Sequence, residues 1–313
     1  MDRAKGYAVF LSLAAALLWA TYYIFVLALD RSAPPSAVVF YPFLFGGAAY
    51  TAWAAAAGHG RALLALWRQP MAYVRTGFLV GMQVSVLAAT YLTGPVDASL
   101  LSLIGDVVLT PLIVALVIGA HRAHVTSRVF SLGLVLSLAG GALTIAGGQG
   151  LTAVRGLGWA VVPAVPVSVA LYFLLSAREN ERSPPSAVVA QSMLAAALVG
   201  ALVSPALPGG FAGLGSPSPA ALVLLAATGV TSFFLAPALY FHAISRAGLV
   251  IPPMLMTGIP VFTLLLSATV LRLALPWVAL LGIPVAVVGA VLTLRGERPP
   301  ETVEPPGPGA TSS

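Results

Sequence analysis

Long apolar stretches separated by short polar breaks run along the sequence. A helix that crosses a bilayer needs roughly 20 mostly apolar residues, and ten segments answer to that: 7–29, 36–57, 74–92, 98–118, 127–147, 156–177, 186–205, 219–241, 248–271 and 275–295. The breaks carry the charges and the turn formers: Asp30-Arg31, Gly58 to Arg75, His121 to Arg128, Arg178 to Pro185, and Pro205 to Pro219. The first stretch follows basic residues, as a signal peptide does. It continues past Trp19 through Tyr22 and Tyr23 to Leu29, longer than a cleavable apolar region, and reads as a retained helix. The expectation is an all-α integral membrane protein with ten transmembrane helices.

The pattern repeats. Pro34-Pro35-Ser36-Ala37-Val38-Val39 recurs as Pro184-Pro185-Ser186-Ala187-Val188-Val189, a shift of 150, and the same shift pairs Gly6 with Gly156 and Tyr22 with Tyr172. Further on the shift is 149, pairing Tyr91 with Tyr240, Pro111 with Pro260, and Gly133, Gly140 and Gly147 with Gly282, Gly289 and Gly296. The expected units are residues 1–150 and 151–296, with 297–313 as a Pro/Gly/Ser-rich, acidic, disordered cytoplasmic tail. Five spans per unit is an odd number, so the second copy enters the membrane in the opposite sense. The copies become inverted repeats about an axis in the membrane plane, an arrangement used by transporters that expose a central site to each side in turn.

Composition agrees with lipid as the solvent: 59% of the 313 residues are hydrophobic and 8% charged, too few charges to clothe a soluble surface. The charge of +6 is scattered through short loops without a basic helix face, which argues against a nucleic-acid partner. With the N-terminus cytoplasmic, the inside segments hold Arg3, Lys5, Arg61, Arg68, Arg75, Arg122, Arg128, Arg178, Arg182, Arg246, Arg295 and Arg298, against Arg31, Arg155 and Arg272 outside. This bias puts both termini in the cytoplasm. Arginine in place of lysine, with abundant alanine and glycine, suits a high-GC bacterial gene, and the expected location is a bacterial inner membrane. The chain has no cysteine, so disulfides and thiolate chemistry are excluded, and its four histidines lack ligand spacing, so no metal and no cofactor are expected.

The repeat length, the prolines Pro111 and Pro260 in the fourth helix of each half, the segment Ile259-Pro260-Val261-Phe262-Thr263 and the glycine-spaced fifth helix carry a resemblance. Over residues 6–296 the chain resembles the drug/metabolite transporter superfamily, in its ten-helix EamA type. Where that type commonly has a glutamate after the fourth helix, this chain has His124 and Leu273. The resemblance implies a carrier of amino acids, other metabolites, drugs or nucleotide sugars.

Several residues stand out against the apolar background. Asp106 is an acid deep in the fourth span whose repeat mate is Leu255, so the duplicated fold does not itself require it. A carboxylate there costs about 2.5–3.5 kcal/mol on insertion scales and should face the interior. It reads either as a proton-coupling group or ammonium clamp, or as a neutral acid that packs helices. Gly105 and Pro111 bracket it, and Pro252, Pro253 and Pro260 interrupt the ninth span; such helix breaks in matching positions point to a central site. Trp19, Tyr22, Tyr23 and Tyr172 lie well inside their spans rather than at the interfaces where such rings usually anchor. Gln83 and Gln191 add amides that are costly to leave unpaired in lipid. These are the expected substrate-binding or coupling residues. Glycines every seven residues at 133, 140 and 147 and at 282, 289 and 296 lie on one helix face and read as a close-packing seam, between the repeats or between subunits.

No GxxxxGK[ST] loop is present, so ATP does not drive the chain directly. The favoured function is a secondary transporter, not an enzyme, that moves small metabolites by alternating access, in the export direction. Its partners are a small-molecule substrate, the bilayer and protons as the candidate coupling ion, with monomer and homodimer both open. A passive solute channel or lipid flippase is the alternative. A membrane lipid enzyme ranks last, for want of clustered acids or histidines near a surface.

Overall fold

Apolar runs in lipid satisfy their backbone only by coiling on themselves, and every regular element among the described residues is helical. The computed structural model describes residues 3–30, 32–105, 109, 113, 127–147, 158–180, 182–247, 251–274 and 277–295. The first helices are α1 (Arg3–Leu29), α2 (Pro35–Ala56), a short α3 (Gly60–Leu66), α4 (Pro70–Thr93) and α5 (Pro95–Ile104). They are followed by α6 (Arg128–Gly147), α7 (Gly158–Asn180) and α8 (Pro185–Val203). Next come α9 (Pro219–Thr228), a π-helical turn over Gly229–Leu235, and α10 (Ala236–Ala247). The last helices are α11 (Ile251–Met256), α12 (Gly258–Thr269) and α13 (Trp277–Arg295). Five segments are long and apolar enough to cross a membrane by length and composition: Gly6–Leu29, Pro35–Ala56, Pro70–Thr93, Pro185–Ala206 and Pro219–Arg246.

Local chemistry sets the boundaries. Both α2 and α8 begin with proline at the first helical position, where its missing N–H costs nothing and its fixed φ suits the helix. Ser218 caps α9 by accepting a hydrogen bond from the Ala221 amide at 3.2 Å. Gly94 ends α4 at φ +98°, a conformation that disfavours side chains, and Pro95 at once starts α5. The π turn precedes Pro237. Proline cannot donate to the carbonyl four residues back, here Phe233, and its ring crowds that carbonyl; the wider π turn accommodates both.

The contact of α1 with α10 matches that of α7 with α4, elements 149–150 residues apart. α1 packs on α10 and α12, while α7 packs on α4 and α5; α2 pairs with α8, and α6 with α13. In the α6–α13 seam, a Cβ added to Gly140 would come within 3 Å of the backbone of Gly282 and Ala286. One added to Gly289 would meet the backbone of Gly133 and Ser137 as closely, so rising numbers on α6 meet falling numbers on α13. The two helices therefore run antiparallel at backbone contact, and Ser137 Oγ donates to the Ala286 carbonyl at 3.3 Å. The glycine spacing thus serves a seam within the chain; the surroundings of Gly147 and all of Gly296 fall outside the described residues. The largest buried apolar cluster joins both halves, from Tyr22, Phe43 and Tyr50 to Val188, Met193 and Phe233.

The structure changes the reading of one residue. Arg75, counted above with the loop charges, lies inside α4 and is 2% exposed.

Candidate functional site

α1, α4, α7 and the π turn supply aromatic and amide side chains to one space. The result is a mostly apolar cavity of about 150 Å³, comparable to one that holds a benzene-sized molecule. Its walls come from both halves of the chain. Tyr22 and its mate Tyr172 line it, as do Trp19 and its mate Val169, and Gln83 and its mate Ser232. Tyr240, Phe241, Met256 and Ile259 close another side.

The rings are mutually fixed. Trp19 meets Tyr240 edge-on at 5.4 Å, and Tyr22 makes T-shaped contacts with Tyr23 at 5.3 Å and Phe233 at 5.7 Å. Phe233 in turn meets Phe43 at 5.1 Å. Tyr23 donates to Ser102 Oγ at 2.9 Å, and Ser102 donates to the Ala98 carbonyl at 3.1 Å. Ser232 on the π turn donates across to the Leu18 carbonyl at 3.0 Å.

Three polar groups on the walls are left over. Tyr22 Oη, Gln83 Nε2 and Ser176 Oγ are buried and make no hydrogen bond of good geometry among the described residues, with Tyr22 facing Gln83 and Ser176 facing Tyr172. The residues are 6%, 2% and 6% exposed. A buried orphan donor costs about 1–3 kcal/mol, so each has reason to be met by a water or a solute. Among the described residues no formally charged side chain lines the cavity, and no group of His, Asp or Glu is placed to hold a metal ion.

Below the cavity floor, Arg75 lies one and two turns from Leu79 and Gln83 on the same face of α4. Its Nε donates to Ser192 Oγ at 2.9 Å and its Nη2 to Gln191 Oε1 at 2.6 Å. Gln191 therefore lies off the cavity wall and anchors this arginine. The residues flanking its pair, Val189 and Met193, do line the cavity.

The structure thus brings together Trp19, Tyr22, Tyr23, Gln83 and Tyr172. Gly105 stands beside them, not among them: it follows the end of α5, and an added Cβ would strike the Pro166 backbone and Val169 Cβ of α7 within 3 Å. Pro252 and Pro253 fall in the first turns of α11, and Pro260 in the first turn of α12, with the chain broken between them at Thr257. That break leaves the Met256 carbonyl, which Pro260 cannot serve, at a helix end next to the cavity-lining Met256 and Ile259. Asp106 and Pro111 lie outside the described residues. Sequence reasoning missed Arg75 and the π turn. An arginine flanked by Tyr73-Val74 and Thr76-Gly77 was the available signal for the first, and Pro237 for the second.

Residues 155–295 match the EamA-like transporter family, a signature of the drug/metabolite transporter superfamily. Among curated proteins none matches. Among solved structures, one crystal structure described only as that of a protein superposes with a TM-score of 0.64 at 23% identity, covering 91% of this chain and 95% of its own. It shows a shared fold over nearly the whole length.

Proposed function

From a chain whose second half carries the EamA-like transporter signature, we propose a secondary transporter of small metabolites that works by alternating access and exports its solute from a bacterial cell. The observation that carries this reading is the cavity walled by mates from the two halves, Tyr22 with Tyr172 and Gln83 with Ser232. In this reading the chain crosses the inner membrane ten times as two inverted five-helix repeats, residues 1–150 and 151–296, with both termini in the cytoplasm. The antiparallel α6–α13 seam and the matching contacts of α1 and α7 support the inversion. The arginine bias of the loops supports the orientation, and it survives the transfer of Arg75 from loop to helix.

Trp19, Tyr22, Tyr23 and Tyr172 hold the apolar body of the solute, and the unpartnered Tyr22 Oη and Gln83 Nε2 hydrogen-bond its polar end. Asp106 carries the coupling proton. The break at Thr257 and the π turn before Pro237 are the compliant points of the two segments beside the cavity.

The test is uptake into proteoliposomes by a panel of amino acids and small organic acids, with and without an imposed proton gradient. Saturable flux with counterflow is expected. Flux that neither saturates nor shows counterflow belongs to a passive pore, and no flux of any solute removes the transporter reading. Gradient coupling unchanged in Asp106→Asn removes Asp106 as the proton carrier.

A further inference from the structure

Arg75 is a buried cation with no carboxylate in ion-pair contact among the described residues. Guanidinium has five N–H donors in a planar fork, and Arg75 uses one on Ser192 and one on Gln191. The other three have no partner among the described residues, and no carboxylate lies within ion-pair distance. Glu179 on α7 is within electrostatic reach but accepts from Ser183 at 3.0 Å instead. Its acceptor Gln191 also leaves Nε2 buried without a partner among the described residues. Ser176 and Tyr172 belong to the cavity wall, and Tyr172 is within electrostatic reach of the guanidinium.

A site that collects N–H and O–H donors around one positive charge and supplies no anion is missing a negative ligand. The duplicated architecture does not demand it. The mates of Arg75, Gln191 and Ser192 are Leu224, Tyr41 and Pro42, so the cluster, which joins the two halves, has no symmetric copy. Fold stability is served by the apolar version at the other end, and the charged version answers to something else.

We propose that Arg75, with Gln191 beside it, is the docking point for the carboxylate of the transported solute, whose apolar ring or chain lies among Trp19, Tyr22 and Tyr172. The site takes small monocarboxylates, aromatic ones included, in preference to neutral molecules of the same shape. This rests on the central cavity being the solute site.

The experiment is equilibrium binding of radiolabelled benzoate and of benzamide, its neutral near-isostere, to the purified full chain in lipid nanodiscs, with empty nanodiscs as background. Wild type is expected to hold benzoate at least about tenfold more tightly than benzamide, as suits charge-assisted hydrogen bonds. Arg75→Gln should remove about that preference and leave benzamide within twofold, and Arg75→Lys, a charge without the fork, should fall between. Equal affinity for the two ligands in wild type, or equal losses in Arg75→Gln, overturns the carboxylate site while leaving the cavity reading intact. Should Arg75→Gln not fold, the wild-type ratio alone decides. If neither ligand binds, both the carboxylate site and the cavity reading fall.

Discussion

Gly140→Ala is a sharp test of the antiparallel seam between α6 and α13. In an isolated helix the change is favourable, because alanine outranks glycine by about 0.8–1.0 kcal/mol. In the seam the new methyl would approach Ala286 N and Cα and the Gly282 carbonyl within 3 Å. These are backbone atoms that cannot rotate away, so the two helices must separate along their shared face. Overpacking of this kind costs about 1–3 kcal/mol, or about a 5- to 150-fold fall in the folded-to-unfolded ratio. Gly77→Ala is the control, since an added Cβ there meets nothing within 4 Å and should be neutral or slightly stabilising. The assay is the unfolding midpoint in mixed micelles titrated with sodium dodecyl sulfate, read by circular dichroism. Gly282→Ala should cost a similar amount, and the double variant less than the sum, because both changes push apart the same contact. A Gly140→Ala protein that unfolds with or after the Gly77→Ala control would refute backbone contact in this seam.

Other consequences are as direct. Gln83→Leu replaces a buried amide whose Nε2 lacks a partner; it should gain about 1 kcal/mol in the same titration while lowering transport in proteoliposomes, and a loss of both would mean the amide is structurally satisfied. Gly229→Val places carbon against the Pro42 carbonyl and Phe45 Cβ within 3 Å, so both folded yield and transport should drop, with wild-type thermal stability the contrary result. His59→Ala removes the 2.7 Å hydrogen bond to Ser186 that joins the α2–α3 turn to α8. It should cost about 1 kcal/mol or less, and a double-mutant cycle with Ser186→Ala should return a coupling of that size.

Much of the architecture could be read from residues whose spacing has one physical meaning. Pro34-Pro35 and Pro184-Pro185 announced two helix starts 150 residues apart, and α2 and α8 begin there. The seven-residue glycine period marked a close-packed face but could not name its partner, because a stripe of small residues fits any similar stripe. The rings of α1 were legible as misplaced for an interfacial belt, and Trp19, Tyr22 and Tyr23 do line the cavity. Gln191 was legible as a buried amide but not as an arginine's acceptor, since that contact joins residues 116 positions apart. Arg75 was hidden by a rule that is usually sound: an arginine at the edge of an apolar run marks the run's end. Here the helix begins five residues earlier, at Pro70, and the charge is carried inside.

The cluster around Arg75 also gives the proposed duplicated scaffold a polarity. A perfectly doubled chain would offer a solute two equivalent entrances and work identically in either sense. Beside this cavity stand Arg75, Gln191 and Ser192, and at the positions paired with them by the repeat stand Leu224, Tyr41 and Pro42. Tyr41 spends its hydroxyl on the Leu214 carbonyl at 2.6 Å. In the transport cycle proposed above, a charged solute would therefore meet a different energy profile from each side. Under the proposed orientation, the loop arginines that set it would also set which compartment faces the guanidinium.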